Sequence, residues 1–337
     1  MPAPADTEPA IRVIFGGDVM LGRMVGDCIH RYGPDYPLGA IAARMRSAAL
    51  TIVNLECALT SCKTHWSGAP KAFYFGAPPE AALSLVGAGV NIVSLANNHI
   101  LDFGVAGLTD TLHHLGRHGI AHCGAGVDLD AATEAVTVER AGLCFGMAAF
   151  CDHQSDFAAS VDKPGIAWLD LSDMEATLPA LDHALGALRR RDVDVPILSL
   201  HWGPNMVARP SAHFRRLAHA AIDMGWKILF GHSAHVFQGI EIFRGCPIFY
   251  ATGDLVDDYQ VDPLFRNDYQ FLFELTLSGS AVQQIELMPV VIDRCQTRMA
   301  TQHDSATILR RMVAACSEFG VTVLEQDGLA RIELDQP

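Results

Sequence analysis

The sequence predicts an α/β fold in which two mixed β-sheets pack face to face, with helices on the outside. Three observations lead to this prediction: short apolar runs that each end at a polar residue, helix-like stretches between those runs, and hairpins that do not alternate with helices. Apolar strands that alternate with amphipathic helices are typical of α/β folds, whose ligands bind beyond the carboxyl ends of the strands. The hairpins add antiparallel pairing, so the sheets are expected to be mixed.

The predicted strands are rich in β-branched and other apolar residues, as buried strands are. In chain order they are Ile11–Phe15, Leu50–Asn54, Asn91–Leu95, Val195–Leu200 and Lys227–Phe230. Apolar residues recur at helical spacing between these strands and near the end of the chain. The predicted helices are Pro37–Met45, Pro79–Ala88, Gly104–His118, Met174–Arg190, Ser211–Met224 and Ser305–Phe319.

Two hairpins and one short strand complete the predicted elements. Residues 134–150 contain a turn at residues 139–142, and residues 278–280 join Tyr269–Leu277 to Ala281–Ile292. Both connections carry glycine, which suits a tight turn between strands. A last strand is expected at Val321–Leu324.

Composition bounds the domain organisation and the partners. The 337 residues carry 24 Lys+Arg and 38 Asp+Glu, a formal net charge of −14. Nucleic acids and anionic membranes are bound through Lys and Arg, so neither is expected as a partner. No linker or repeat divides the chain, so we expect residues 1–10 to form a disordered tail and residues 11–337 to form a single domain. The sequence leaves the oligomeric state open.

The nine cysteines bear on location in the cell. They are scattered, odd in number and free of C-x-x-C spacing, which predicts reduced thiols in a cytoplasmic protein. The first residues carry acids and prolines where a secretory signal would need a basic and then an apolar segment. Apolar runs fall far short of the roughly 20 residues that span a bilayer.

Polar residues at the predicted strand ends form the candidate site. Carboxylate and imidazole groups from separate strands meet at one rim of an α/β sheet, which is how divalent transition-metal sites are assembled. The residues in question are Asp18, Asn54, Glu56, Asn98, His99, His201, His232 and His235.

Six ordered blocks between about residue 11 and residue 257 carry a family resemblance. They are G-G-D-V-M-L-G-R (16–23), N-L-E (54–56), L-A-N-N-H-I-L-D-F-G (95–104), H-W-G (201–203), G-H-S-A-H-V-F-Q-G-I-E (231–241) and P-I-F-Y-A-T-G-D (247–254). These blocks resemble the CapA family, named for poly-γ-glutamate capsule synthesis, which is similar in turn to calcineurin-like metallophosphoesterases. The resemblance implies a four-layer α-β-β-α metallophosphatase-like sandwich with metal held at the strand ends.

The resemblance also implies roles for individual residues. Asp18 and Asn98 match metal-binding residues of the metallophosphoesterases, His99 matches the histidine that contacts the substrate, and His201, His232 and His235 match their other motif histidines. Together with the strand-end pattern, this predicts one divalent metal ringed by Asp18, Glu56, Asn98, His201, His232 and His235. Imidazole with carboxylate accommodates Mn, Zn, Fe, Co or Ca, and the predicted catalytic residues are His99, His201 and His235.

Three departures from the metallophosphoesterase pattern favour one metal site over two. Met20 stands where those enzymes have a histidine, and Asn54 with Glu56 occupies the block of their bridging aspartate. The final motif, from His232 to His235, is one residue longer than Gly-His-x-His. A two-metal centre clamps the attacking and leaving oxygens with both cations, so the loss of ligands weakens that interpretation.

A single cation beside several imidazoles suits proton transfer at an α-carbon next to a carbonyl group. The sequence therefore favours an epimerase acting on a peptide or polyglutamyl-type substrate. Hydrolysis of a phosphoester is the first alternative, because the implied fold supports it. A protein that binds poly-γ-glutamate or peptide carboxylates without catalysis is the second.

Further residues are candidates for substrate binding or for holding an imidazole. The predicted substrate-binding residues are Arg23, Asn54, Asn97 and Trp202. Asp102 and Asp254 are predicted to fix the tautomer of an imidazole by accepting its other N–H. The segments His65-Trp66 and Cys151-Asp-His153 lie in loops that could supply a second acid or base.

Overall fold

The larger of two main sheets places the first strand of the chain near its middle. A computed structural model describes residues 10–326 and 328–334, so the predicted tail, apart from Ala10, lies outside the described residues. In spatial order the strands are Leu324–Gln326, Leu329–Glu333, Ala281–Asp293, Tyr269–Ser278, Ile11–Val19, Leu50–Leu55, Ile92–Ser94 and Ala121–Cys123. Asp254–Val256 pairs with the first strand, and Gln296–Met299 pairs with Ala281–Asp293.

Strand directions make this sheet mixed, as predicted. Leu50–Leu55 and Asp254–Val256 run parallel to Ile11–Val19, whereas the hairpin of Tyr269–Ser278 and Ala281–Asp293 is antiparallel. The parallel strands all bring their carboxyl ends to one edge of the sheet.

The second sheet has six strands with a parallel centre. In spatial order they are Ile240–Phe243, Cys246–Phe249, Ile228–His232, Val195–His201, Leu143–Cys151 and Val136–Arg140. The outermost pairs on both sides are antiparallel hairpins. The hairpin predicted at residues 134–150 is thus confirmed.

Aromatic side chains join the two sheets face to face. The Phe15 ring of the larger sheet lies 5.2 Å from the Phe230 ring and 6.0 Å from the Phe249 ring of the smaller one, centroid to centroid. Phe249 also contacts Phe273 at 5.2 Å. All four side chains are buried, and such rings contribute large apolar areas to a core. The polar edges of the two sheets are thereby fixed next to each other.

Helices cover the outer faces, so the architecture is the four-layer α-β-β-α sandwich that the family resemblance implied. Leu181, Leu185 and Leu217 lie in one apolar cluster with Leu198 and Leu200 of the smaller sheet. The helices are Arg23–Tyr32, Ile41–Arg46, Ala82–Gly87, Gly104–Arg117, Leu129–Thr133, Met174–Arg189, Ala212–Met224 and Gln302–Ser317.

Side-chain caps explain where three of these helices begin. Asp173 accepts hydrogen bonds from the backbone N–H groups that follow it, and Ser211 and Thr301 do the same at their helices. Such caps pair N–H groups that have no partner within the helix. Thr301 is the reason the last helix begins at Gln302, three residues earlier than predicted.

Some predicted boundaries were wrong, and some elements were missed. The strand expected at Val321–Leu324 begins only at Leu324. The helix Arg23–Tyr32 was missed because its polar sequence buries only Val25, Gly26 and Ile29.

In the described ranges, no helix is both long and apolar enough to cross a bilayer. That residues 11–337 form a single domain stays a prediction.

Candidate active site

Strand ends of both sheets deliver polar side chains to one edge of the sandwich. Asp18 lies in register with Asn54 on one side and with Asp254 on the other. In the smaller sheet, His201 lies in register with His232. Because these neighbours are parallel, their ends coincide, and all five side chains are buried.

Glycine allows the central strand to approach its neighbour closely at this point. A Cβ atom on Gly17 would lie 2.0 Å from the carbonyl oxygen of Gly253, a distance that no side chain could occupy. The backbone N–H of Asp18 donates to that same carbonyl at 2.9 Å. This contact places the carboxylates of Asp18 and Asp254 side by side.

The described residues contain two groups of metal-donor atoms that share Asp18. In the first, Asp18 Oδ1 lies 3.7 Å from His232 Nδ1, which lies 2.8 Å from His201 Nδ1. In the second, His235 Nδ1 lies 3.9 Å from Asp18 Oδ2 and 2.9 Å from Asp254 Oδ1. Imidazole and carboxylate are the donors that divalent transition metals take in proteins.

Two buried oxygens of the cluster lack any hydrogen-bond partner among the described residues: Glu56 Oε1 and Asp254 Oδ2. Glu56 Oε1 lies 3.6 Å from His201 Nε2 and 4.0 Å from His99 Nε2. An unpaired buried carboxylate oxygen costs free energy unless something binds it. The donor set therefore fits a divalent cation.

Burial perturbs the pKa values of the cluster in opposite directions. Burial raises the pKa of Asp18 to about 7, with added repulsion from Asp254, and raises the pKa of Asp254 to about 8. It also raises the pKa of Glu56 well above its usual range. Burial lowers the pKa of His232 to about 3 and that of His201 well below its usual range. The imidazoles are thus neutral, the form that binds metal, and a cation would favour ionised carboxylates.

The amide side chains of this edge differ in position. Asn98 Oδ1 lies 3.0 Å from His201 Nε2 and lines the pocket described below. Asn54 Nδ2 donates to Asp18 Oδ1 at 2.8 Å and to Glu56 Oε2, and Asn97 Nδ2 donates to Asn54 Oδ1 at 3.0 Å. Asn54 thus holds two carboxylates and Asn97 holds Asn54, and neither lines the pocket. Their contact with a substrate stays a prediction.

His99 forms a buried pair with Asp102. Its Nδ1 lies 2.6 Å from Asp102 Oδ2, and burial lowers its pKa to about 4, so the ring is neutral at pH 7. Lys71 Nζ lies 2.5 Å from Asp102 Oδ1 and donates to the carbonyl oxygen of Asn98. The contact fixes Nδ1, which leaves Nε2 of His99 for a substrate. Asp102 thus lies where the sequence predicted it.

A pocket of about 360 Å³ opens onto His99 and the donor cluster. Its size is that of a small-molecule site. The lining residues are Arg23, Phe73, Phe75, Asn98, His99, His201, Asn205, Ser233, His235, Tyr259 and Gln260. The structure thus brings together the three predicted catalytic histidines and Arg23.

Arg23 lies at the pocket wall among aromatic rings and an acid. Its Nε is 3.2 Å from Asp258, and its guanidinium lies over Phe73 and Phe75 at 5.4 and 5.6 Å from the ring centroids.

Trp202 does not line this pocket. Its Nε1 donates to the carbonyl of Tyr250, and its ring faces a separate apolar pocket, so its predicted substrate contact has no counterpart here.

The two loop segments considered as sources of a second acid or base differ in position. His153 Nε2 lies 3.0 Å from Ser233 Oγ, at the pocket lining, whereas His65 stacks on Tyr74 at 4.2 Å and does not line the pocket. Sequence reasoning missed Lys71 and Tyr259. Both lie in loops, and no spacing pattern links them to the strand ends.

The four-layer α-β-β-α sandwich, with a cluster of potential metal donors at one edge of both sheets, defines the chain as a protein of metallophosphatase-like fold. A model of the family described as "Bacterial capsule synthesis protein PGA_cap" matches residues 12–259. The chain belongs to this family, which is the CapA family that the sequence blocks resemble. The resemblance identified from those blocks is confirmed.

Two relatives with similar sequences agree with this assignment, and one solved structure of similar fold is given beside them. A "Probable polyglutamine synthesis accessory protein" of Mycobacterium tuberculosis is 31% identical over 365 residues, covering 95% of each chain. "PGA biosynthesis protein CapA" of Bacillus subtilis is 27% identical and covers 98% of this chain and 84% of its own. A solved "Putative 5'-Nucleotidase" from Staphylococcus aureus is 14% identical, with a TM-score of 0.49, covering 90% of this chain and 58% of that one.

Proposed function

We propose that this protein is a metal-dependent acid–base enzyme that epimerises an α-carbon of a peptide or polyglutamyl-type substrate. One observation carries the proposal: the pocket is lined by two imidazoles, each held at Nδ1 by a buried carboxylate. Asp102 holds His99 at 2.6 Å, and Asp254 holds His235 at 2.9 Å. Two fixed imidazoles on one pocket suit removal of a proton and delivery of another.

One cation is part of the proposal, with Asp18, His201 and His232 as its ligands and with Glu56 and Asn98 beside them. When bound, it would polarise the substrate carbonyl or carboxylate and so stabilise negative charge at that oxygen. The remaining imidazoles are then free to move protons. His235 serves the reaction and not the metal in this arrangement.

The proton transfer balances without an oxidant or a reductant. His99 Nε2 takes the α-proton, the C–H electron pair forms a C=C bond, and the carbonyl π pair moves onto the oxygen. His235, after taking a proton from solvent at Nε2, gives that proton to the carbon; the oxygen pair re-forms the C=O bond and the C=C pair forms the new C–H bond. His99 then releases its proton to solvent, so both imidazoles return to their starting forms. Burial lowers the pKa of His99 to about 4, so the ring is neutral at pH 7 and its Nε2 lone pair is available to accept a proton.

The substrate class is supported by charge and by the relatives. Arg23 places a guanidinium at the pocket wall, a group that binds carboxylates in a bidentate manner. The relatives named above are called polyglutamine or PGA synthesis proteins. A peptide or polyglutamyl chain carries both a carboxylate and an α-carbon next to a carbonyl. That the protein works in the cytoplasm, without nucleic-acid or membrane partners, stays a prediction.

Hydrolysis of a phosphoester is the second candidate, and a different use of His235 supports it. Asp18 belongs to both donor groups, so it could bridge two cations if His235 and Asp254 were ligands of the second. Two bridged cations suit an in-line displacement at phosphorus. The two proposals therefore differ in the number of metal ions and in the role of His235.

Incubation in heavy water tests the proposal. Metal-free protein is reloaded with Mn²⁺ and incubated in D₂O with penta-L-glutamate or penta-γ-L-glutamate, and the products are read by mass and by chirality. We expect deuterium at an α-carbon together with D-glutamate, and neither without Mn²⁺. The label appears because the returned proton comes from solvent.

A parallel assay with bis(p-nitrophenyl) phosphate separates the alternatives. Cleavage of this diester without deuterium exchange would replace the epimerase proposal with phosphoester hydrolysis. Binding of either glutamate oligomer with no change in mass, chirality or phosphodiester would indicate a non-catalytic binding protein. Exchange that persists in EDTA would contradict the role of the metal.

A further inference from the structure

The Tyr259 hydroxyl is a buried donor at the pocket without a partner. Its oxygen is buried and has no hydrogen-bond partner among the described residues. The Tyr259 side chain nevertheless lines the pocket. Buried hydroxyl groups are almost always paired in folded proteins, so an unpaired one at a pocket points to a ligand.

The position of Tyr259 is fixed by its neighbours. Its backbone N–H donates to Asp257 Oδ1 at 2.8 Å, which holds the loop that follows the strand Asp254–Val256. Its ring stacks on Phe75 at 5.6 Å and meets the edge of His235 at 5.1 Å. These contacts position the Tyr259 ring at the pocket wall, beside His235.

Tyr259 also connects the two imidazole–carboxylate pairs. Phe75, on which it stacks, lies against the His99 ring at 3.9 Å, so one row of rings runs from His99 through Phe75 and Tyr259 to His235. A tyrosine hydroxyl can donate a hydrogen bond to the oxygen of a carbonyl group bound between these imidazoles.

We propose that Tyr259 is a catalytic residue whose hydroxyl donates a hydrogen bond to the carbonyl or carboxylate oxygen of a bound glutamyl unit. The proposal rests on the proposed function for its substrate class. It extends that function, because it names the protein group that fixes the oxygen beside the reacting carbon. In the complex, the substrate oxygen would be the hydrogen-bond partner that the Tyr259 hydroxyl lacks in the free protein.

The variant Tyr259→Phe tests this proposal in the full-length, Mn²⁺-loaded protein. Its thermal unfolding midpoint and Mn²⁺ affinity should equal those of wild type, because the hydroxyl makes no bond in the free protein. Its affinity for tri-γ-L-glutamate, measured by calorimetry, should fall roughly tenfold, the factor for about 1.4 kcal/mol from one buried hydrogen bond. The α-deuterium exchange rate should fall by about 100-fold if the bond strengthens during reaction.

Tyr32→Phe is the matched control, because it removes the same atom from an exposed tyrosine of the first helix. It should bind and react like wild type. A Tyr259→Phe protein that binds tri-γ-L-glutamate within twofold of wild type would overturn the inference, as would an equal loss of Mn²⁺ affinity. A wild-type protein that does not bind this ligand would also overturn it.

Failure of the proposed epimerase function would give a different result from failure of the Tyr259 proposal. A wild-type protein that binds tri-γ-L-glutamate but exchanges no α-proton contradicts the epimerase. Weaker binding by Tyr259→Phe in that same protein would still support the hydrogen bond. If wild type exchanges the α-proton and Tyr259→Phe binds and reacts at the same rate, the epimerase is supported and the Tyr259 hydrogen bond is contradicted.

Discussion

Asp18→Asn is expected to abolish tight binding of divalent cations, with a loss of affinity of at least about 100-fold, since even residues that only orient ligands contribute 10- to 100-fold. The reason is that Asp18 belongs to both donor groups of the site. Calorimetric titration of metal-free protein with Mn²⁺ measures the change. Deuterium exchange should be lost with the metal.

The stability of metal-free Asp18→Asn distinguishes this effect from misfolding. The pKa of Asp18 is raised to about 7 in the folded state, so its contribution to stability is present at low pH and is lost as pH rises through that value. Asparagine carries no charge to bury. At pH 8 the metal-free variant should therefore be at least as stable as metal-free wild type, and only wild type should gain stability from Mn²⁺.

Asp182→Asn provides the matched control, because Asp182 is exposed on the helix Met174–Arg189. It should bind Mn²⁺ like wild type. Unchanged Mn²⁺ affinity in Asp18→Asn would mean that the shared donor is not a ligand. An unfolded Asp18→Asn protein would contradict the stability argument.

His99→Gln is expected to retain Mn²⁺ and lose deuterium exchange by about 100- to 10,000-fold, the usual contribution of an acid–base group. His99 Nδ1 is committed to Asp102, and its Nε2 faces the pocket. Glutamine can occupy a similar volume but cannot take a proton at pH 7. Initial exchange rates at saturating penta-γ-L-glutamate measure the change.

The pH dependence of wild type gives an independent readout of His99. Burial lowers the pKa of this imidazole to about 4, so its neutral form persists until the pH falls to that value. The acid limb due to His99 should lie near pH 4 and disappear in His99→Gln. The exposed His118 supplies a control, since His118→Gln should react like wild type. Full activity in His99→Gln would contradict its role as the base.

The strand ends of this site were predictable because buried strands are apolar runs that end at polar residues. An apolar run such as Ile11–Phe15 must be a strand inside the sandwich, and the polar residue that follows must lie at its end. The observed strand extends to Val19 and includes Asp18. Parallel register then brings Asp18, Asn54 and Asp254 together.

Side-chain direction was not predictable in the same way. Asn54 lies at the expected strand end, yet its amide donates to the buried carboxylates of Asp18 and Glu56, and the amide of Asn97 donates to Asn54. Lys71 and Tyr259 come from loops whose paths depend on long-range packing. One-dimensional periodicity carries no information about such paths, so these two residues were accessible only through the structure.

The number and position of bound cations test the central claim most directly. Crystals of the wild-type protein grown with Mn²⁺ would be measured at a wavelength where manganese scatters anomalously. We predict one strong anomalous peak beside Asp18, His201 and His232, with His235 still paired to Asp254. Two peaks that share Asp18, or none at this edge in protein that has bound Mn²⁺, would contradict it.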